Sequence, residues 1–135
     1  MTDTRLGVIA PPTNTVNEKE WAKLLPEGVS MHFTRMALHA DTDTPAGKQA
    51  LHDDLATAMT LLRDQGATVM VYACTAGSMT LPHHALPDWM RDTAGMPAVT
   101  TAAVAGSRGR RSRRRRRQGR GHDGQLHPRV RRTPP

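Results

Sequence analysis

Thr68-Val69-Met70-Val71-Tyr72-Ala73-Cys74-Thr75-Ala76-Gly77-Ser78 decides how this chain is read. Thr68 to Ala73 is a short, β-branched and apolar run, which predicts a buried strand. The residues after it are small and polar, so the strand ends abruptly and delivers Cys74 to its carboxyl end. Upstream, Leu51, Leu55, Ala58, Met59 and Leu62 recur at three- and four-residue steps, the signature of an amphipathic helix. Thr44-Pro45 supplies a cap followed by proline at the first helical position, and Gly66 supplies the stop. Further back, Val29 to Met36 alternates Val29, Met31 and Phe33 with Ser30, His32 and Thr34, the period of a strand.

A helix is expected from Val16 to Leu25, with Val16, Trp21, Leu24 and Leu25 on one face and Pro26-Glu27-Gly28 ending it. Thr15 and Glu18 have the spacing of a capping box at its start. Leu6 to Ala10 reads as a first buried strand, stopped by Pro11-Pro12, which cannot donate to a ladder. Downstream of Cys74, Pro87 opens a short helix through Trp89 and Met90 that stops at Gly95, and Pro97 to Thr100 reads as a fourth strand. Strands alternating with helices predict βαβ units: an α/β lobe over residues 1–105, three layers thick, with a mostly parallel four-stranded sheet.

Charge divides the chain differently. From Ser107 onward twelve Arg face a single acid, Asp123, so the formal charge of +7 arises wholly in the tail and the body is net acidic. Residues 106–135, with the run Arg113 to Arg117, hold too few apolar residues to offset ordering entropy and are expected to be disordered. A basic tail can bind nucleic acid through its phosphates, and a non-catalytic fragment that does so is the alternative reading from another class. Sequence-specific nucleic-acid recognition is not expected, because aromatics are 3 % of the chain and the body carries no basic face. One cysteine, Cys74, excludes an internal disulfide and points to a reducing, cytoplasmic setting. The start, Met-Thr-Asp-Thr-Arg, lacks the layout of a signal peptide, and no apolar run approaches the roughly 20 residues that span a bilayer.

In parallel sheets ligands gather outside the carboxyl ends of the strands. Two loops occupy that edge, Pro11 to Thr15 and Cys74 to Ser78. A thiol beside a helix start is activated by the helix dipole, and N–H groups of a glycine-containing turn can hold an anion. Thr75 and Ser78 add hydroxyl donors, and Gly77 allows close backbone approach. Free cysteine is also a common buried hydrophobe; the small polar residues after Cys74 weigh toward chemistry. Asn14 could clasp a carboxylate, although an Asx-turn or helix cap is the commoner use of asparagine in such a place. His83-His84 lacks a third ligand nearby and reads as exposed loop, so no metal site is expected. Gly7 stands alone, with no dinucleotide fingerprint around it.

Together the stretches Gly7 to Thr15, Tyr72 to Ser78 and Met96 to Thr101 resemble the maleate cis-trans isomerase and arylmalonate decarboxylase branch of the aspartate/glutamate racemase superfamily. The resemblance runs from about residue 5 to 104. It implies a two-lobed α/β enzyme that needs no cofactor or metal and works in the cleft between its lobes on a small carboxylate substrate. By position, Cys74 would be the first-lobe cysteine, Thr75 and Ala76 would offer groups to a carboxylate, and Asn14 would hold one from the other loop. Maleate isomerases use a nucleophilic cysteine in the first lobe with a second in the other lobe. Racemases use two facing cysteines, and decarboxylases keep only the second. The presence of Cys74 therefore favours an isomerase or racemase of a dicarboxylate or amino acid over a decarboxylase.

The departure from that family lies in the tail. A second lobe with its own cysteine is expected there, and an Arg-rich stretch stands in its place. Arg codons of the CGN type read one base later become GNC codons, for Val, Ala, Asp and Gly, so a frameshifted or truncated second lobe is the expectation. An incomplete cleft predicts little catalysis by the chain alone and an apolar face open to self-association as a homo-oligomer.

Overall fold

The computed structural model describes residues 3–82, 84–104 and 106, so His83 and the Arg-rich stretch 107–135 lie outside the described residues, and with them the expectation of a disordered tail. Along the chain run β1 (Thr4–Ala10), α1 (Asn17–Ala22), β2 (Val29–Arg35), α2 (Pro45–Asp64), β3 (Val69–Tyr72), α3 (Thr75–Ser78), α4 (Ala85–Ala94) and β4 (Ala98–Thr100). The strands form one sheet in the order β2-β1-β3-β4, parallel at every pairing. The α/β class and the parallel sheet expected from the alternation are both present.

The step from β1 to β2 goes one way across the sheet, and the step from β2 to β3 returns past β1. Right-handed crossovers therefore place α1 and α2 on opposite faces. The α2 face is the thick one. Leu51, Leu55 and Leu62 are at most 2 % exposed and pack in one cluster with Ile9, Met70 and Tyr72 of the sheet and Leu86 and Met90 of α4. Each such side chain contributes on the order of 1.5–3 kcal/mol by leaving water. Gly7 belongs to this contact: a Cβ there would stand 2.9 Å from Cβ of Ala67 and 3.1 Å from that of Leu62, so glycine lets the helix end and the strand approach. Thr44 caps α2, its hydroxyl accepting from the Gly47 N–H at 3.0 Å, ahead of Pro45 as expected.

The α1 face is thin. Val8 is fully buried there, and Trp21 meets Phe33 edge-on at 6.4 Å, but no residue of α1 itself is buried. The helix ends at Ala22, three residues earlier than expected, and leaves Val16 and Leu24 exposed instead of sharing an apolar face. Along β2 the chemical alternation does not become alternating burial: Val29 to Thr34 are all half-buried, because β2 is an edge strand with slight cover. At the far end α4 begins at Ala85, two residues before Pro87, which is accommodated because first-turn N–H groups have no intrahelical acceptor. Gly95 closes α4 with φ of +69°.

Candidate active site

Cys74 follows β3 in extended conformation and caps the single turn α3, its Sγ accepting from the Gly77 N–H at 3.4 Å. Cys74 is 6 % exposed and belongs to the apolar cluster on the α2 face, yet it also lines a hollow of about 190 Å³. The walls of that hollow are the 37–40 segment after β2 with Thr42, Leu51 of α2, Tyr72 and Cys74, and Ala76 with Gly77. Cys74 is thus a buried residue that borders both the core and the hollow.

Tyr72 shares this wall. Burial pushes its phenol well above the usual range, and the Cys74 thiol beside it adds to the effect, so Tyr72 is a neutral O–H group at neutral pH. A Cβ on Gly77 would fall onto the Tyr72 hydroxyl, so the turn closes over the ring only because residue 77 is glycine. Thr75 and Ala76 are exposed at the tip, with Ala76 on the hollow. Ser78 departs from its expected use as a hydroxyl donor to a ligand. It is fully buried, donates to the Thr75 carbonyl at 3.0 Å, pairs with the Thr101 hydroxyl at 3.0 Å and accepts from the Ala102 N–H. Its work is to tie α3 to the segment after β4.

Asn14 lies at the carboxyl end of β1, the strand beside β3, but does not line the Cys74 hollow. Its Oδ1 accepts from the N–H groups of Val16 and Asn17 at 3.3 and 3.2 Å, so Asn14 satisfies the start of α1 in place of Thr15, from two residues before the N-cap position at Val16. The expected capping box is absent because its acid is engaged elsewhere: Arg35 grips both carboxylate oxygens of Glu18 at 2.9 and 3.0 Å and donates to the Asn14 carbonyl at 2.9 Å. That hydrogen bonding holds the Glu18 carboxyl below its ordinary range. The Asn14 amide nitrogen makes no hydrogen bond among the described residues and is the end of the side chain open to a ligand.

One pair on this edge was not foreseen. His39, in the loop after β2, lines the hollow, and its Nε2 lies 2.8 Å from Oδ2 of Asp54 on α2. Fifteen residues and a loop separate the two, so no local pattern announces them. Among the described residues no group of three or more His, Cys, Asp or Glu is placed to hold a metal ion, and no helix is long and apolar enough to cross a membrane.

The maleate isomerase Iso of Pseudomonas putida S16 is similar over 76 % of this chain and 46 % of its own, at 23 % identity and a TM-score of 0.57. A cysteine-to-alanine form of that enzyme with maleate gives the same figures. The maleate cis-trans isomerase of Nocardia farcinica, as a cysteine-to-serine mutant with a covalently bound succinylcysteine intermediate, is similar over 73 % of this chain and 44 % of its own, at 23 % identity and a TM-score of 0.55. The lobe has the maleate isomerase fold. The resemblance read from the two loops is borne out at that level. The chain spans under half the length of these isomerases. No protein-family model matches the sequence, and no curated protein does.

Proposed function

We propose that this lobe supplies the nucleophilic-cysteine wall of a cofactor-independent isomerase or racemase acting on a small dicarboxylate or amino acid, in the manner of the maleate isomerases. One observation carries the reading: Cys74 stands at the carboxyl edge of the sheet, its sulfur takes the Gly77 N–H, and the residue lines a hollow of about 190 Å³. A backbone N–H aimed at sulfur stabilises the thiolate, the form that attacks. In an isomerase the thiolate adds to one carbon of a cis-dicarboxylate double bond, and the electron pair moves onto the neighbouring carboxylate. The central bond is then single and rotates; elimination of the thiolate restores the double bond in trans geometry. In a racemase the same thiolate removes a proton alpha to a carboxylate.

In this reading the exposed residues Thr75 and Ala76 receive one carboxylate, and Asn14 holds a carboxylate from the β1 loop. Neither step calls for a metal or cofactor, since thiolate and N–H donors suffice. A reducing, cytoplasmic setting fits a working thiol. Turnover belongs to a two-walled cleft, not to this lobe by itself. An arylmalonate decarboxylase-like activity is the weaker alternative, because that chemistry leaves the position of Cys74 without a thiol.

Alkylation of the full chain by iodoacetamide, followed by mass spectrometry, tests the assignment. Cys74 in the folded protein is expected to react about tenfold faster at neutral pH than in the urea-unfolded chain, as an activated thiol does. A folded-state rate at or below the unfolded one sinks the reading, since it describes a sulfur that is merely buried.

A further inference from the structure

A carboxylate entering an enclosed hollow loses water and must be given a cation or a set of N–H donors there. Cys74 offers it no positive charge, and Tyr72 is neutral. Apart from these the walls are alanine, leucine, threonine and glycine, with one exception. Among the residues lining the hollow, His39 is the side chain able to carry positive charge.

His39 is also held in place. Its side chain is 17 % exposed, against 49 % for Asp54, and Nε2 is engaged by that carboxylate at 2.8 Å. Asp54 itself does not line the Cys74 hollow; it lies in the groove behind, with Thr34 to Ala37. The ring therefore bridges from an outer carboxylate to the hollow. With Nε2–H donated to Asp54, the polar atom left for an occupant is Nδ1, which has no partner among the described residues. In the imidazolium form Nδ1–H donates to a carboxylate oxygen, and Asp54 balances the charge from behind.

Resting on the reading of Cys74 as nucleophile, we propose that His39, oriented by Asp54, is the substrate-binding residue that selects for a carboxylate in the Cys74 hollow. It distinguishes small acids from their amides and esters. Lys48 is the competing cation. It lines a different hollow, which shares Thr42 and Ala76 with this one but does not include Cys74.

A pair of alkylating reagents that differ only in charge reads this out without any need for turnover. Cys74 in the full chain is treated with iodoacetate and separately with iodoacetamide, and the two rates are taken as a ratio. His39→Gln is expected to lower the iodoacetate-to-iodoacetamide ratio about tenfold, the effect of one charge-assisted hydrogen bond. Asp54→Asn, a change at an exposed carboxylate that leaves the core untouched, lowers it in the same direction by freeing the ring. Lys48→Met leaves it as in the wild type. A ratio unchanged by His39→Gln and Asp54→Asn, or one that follows Lys48→Met, overturns the proposal while the nucleophile reading stands. Failure of iodoacetamide to modify Cys74 in the wild type removes both.

Discussion

The loops after β1 and β3 leave the same edge of the sheet on neighbouring strands, yet they are built in opposite ways. The β1 loop is held by polar contacts at the surface: Asn14 caps α1, Arg35 clamps Glu18 and the Asn14 carbonyl, and no residue of α1 is buried. The β3 loop is held by packing from beneath: Cys74 and Tyr72 sit in the main apolar cluster, Ser78 is fully buried, and the turn fits over the Tyr72 ring. Polar clamps on an exposed loop are worth little and adjust easily. Packed cores do not adjust by small steps. On the proposed reading of Cys74 as nucleophile and Asn14 as carboxylate holder, the group that must be held most closely lies on the packed loop and the more adaptable one on the clamped loop.

The contrast is most strained by Gly77→Ala. The added Cβ meets the Tyr72 hydroxyl, so the ring, buried at 2 % exposure, or the turn must shift. Overpacking of this kind costs about 1–3 kcal/mol, which outweighs the gain of up to about 1 kcal/mol from alanine's better helix propensity. Urea denaturation is expected to show that loss, together with slower iodoacetamide modification of Cys74 as the Gly77 N–H is displaced. A variant as stable as the wild type would mean that Tyr72 does not pin the loop.

Asn14→Ala touches the other loop and is expected to do less. Loss of a side-chain cap costs about 1 kcal/mol, and α1 contributes little to the core, so the midpoint in urea should fall only slightly. The Cys74 alkylation rate should not move, because Asn14 does not line that hollow. A rate that falls with Asn14→Ala would join the two loops into one unit and erase the distinction.

How much of this was legible in the residues depends on whether the deciding contact is local. The strand and turn around Cys74, the apolar spacing of Leu51 to Leu62 and the Thr44 cap are all set within a few residues, and each was readable. Thr15 and Asn14 could equally cap α1. The tie is broken by Arg35, which takes the Glu18 carboxylate that the capping box would need. Val16 and Leu24 would share a face on a longer helix, but α1 stops at Ala22 before that face exists. Ser78 looked like a ligand donor until Thr101, twenty-three residues away, engaged its hydroxyl. His39 with Asp54 is the same case reversed, a pair visible only once β2 and α2 are side by side.

The smallest effect separates the two sides of the lobe by acid. Beneath the β3 loop, His52 of α2 stacks on Trp89 of α4 at 4.5 Å, and burial lowers its pKa from the ordinary 6.5. The folded state thus resists protonation there while the unfolded chain accepts it, so stability declines as pH falls through about 6.5 and levels off below the folded value. On the β1 side the Glu18 carboxyl, hydrogen-bonded to Arg35, is lowered from 4.5. Its contribution is present above that pH and declines only as the unfolded carboxyl takes up a proton below it. Urea midpoints measured across pH should therefore fall in two stages, the first flattened by His52→Phe, which keeps a ring against Trp89, and the second by Glu18→Gln. If His52→Phe leaves the upper stage intact, the loss there belongs to another group, and the β3 side owes its acid sensitivity to something other than a buried imidazole.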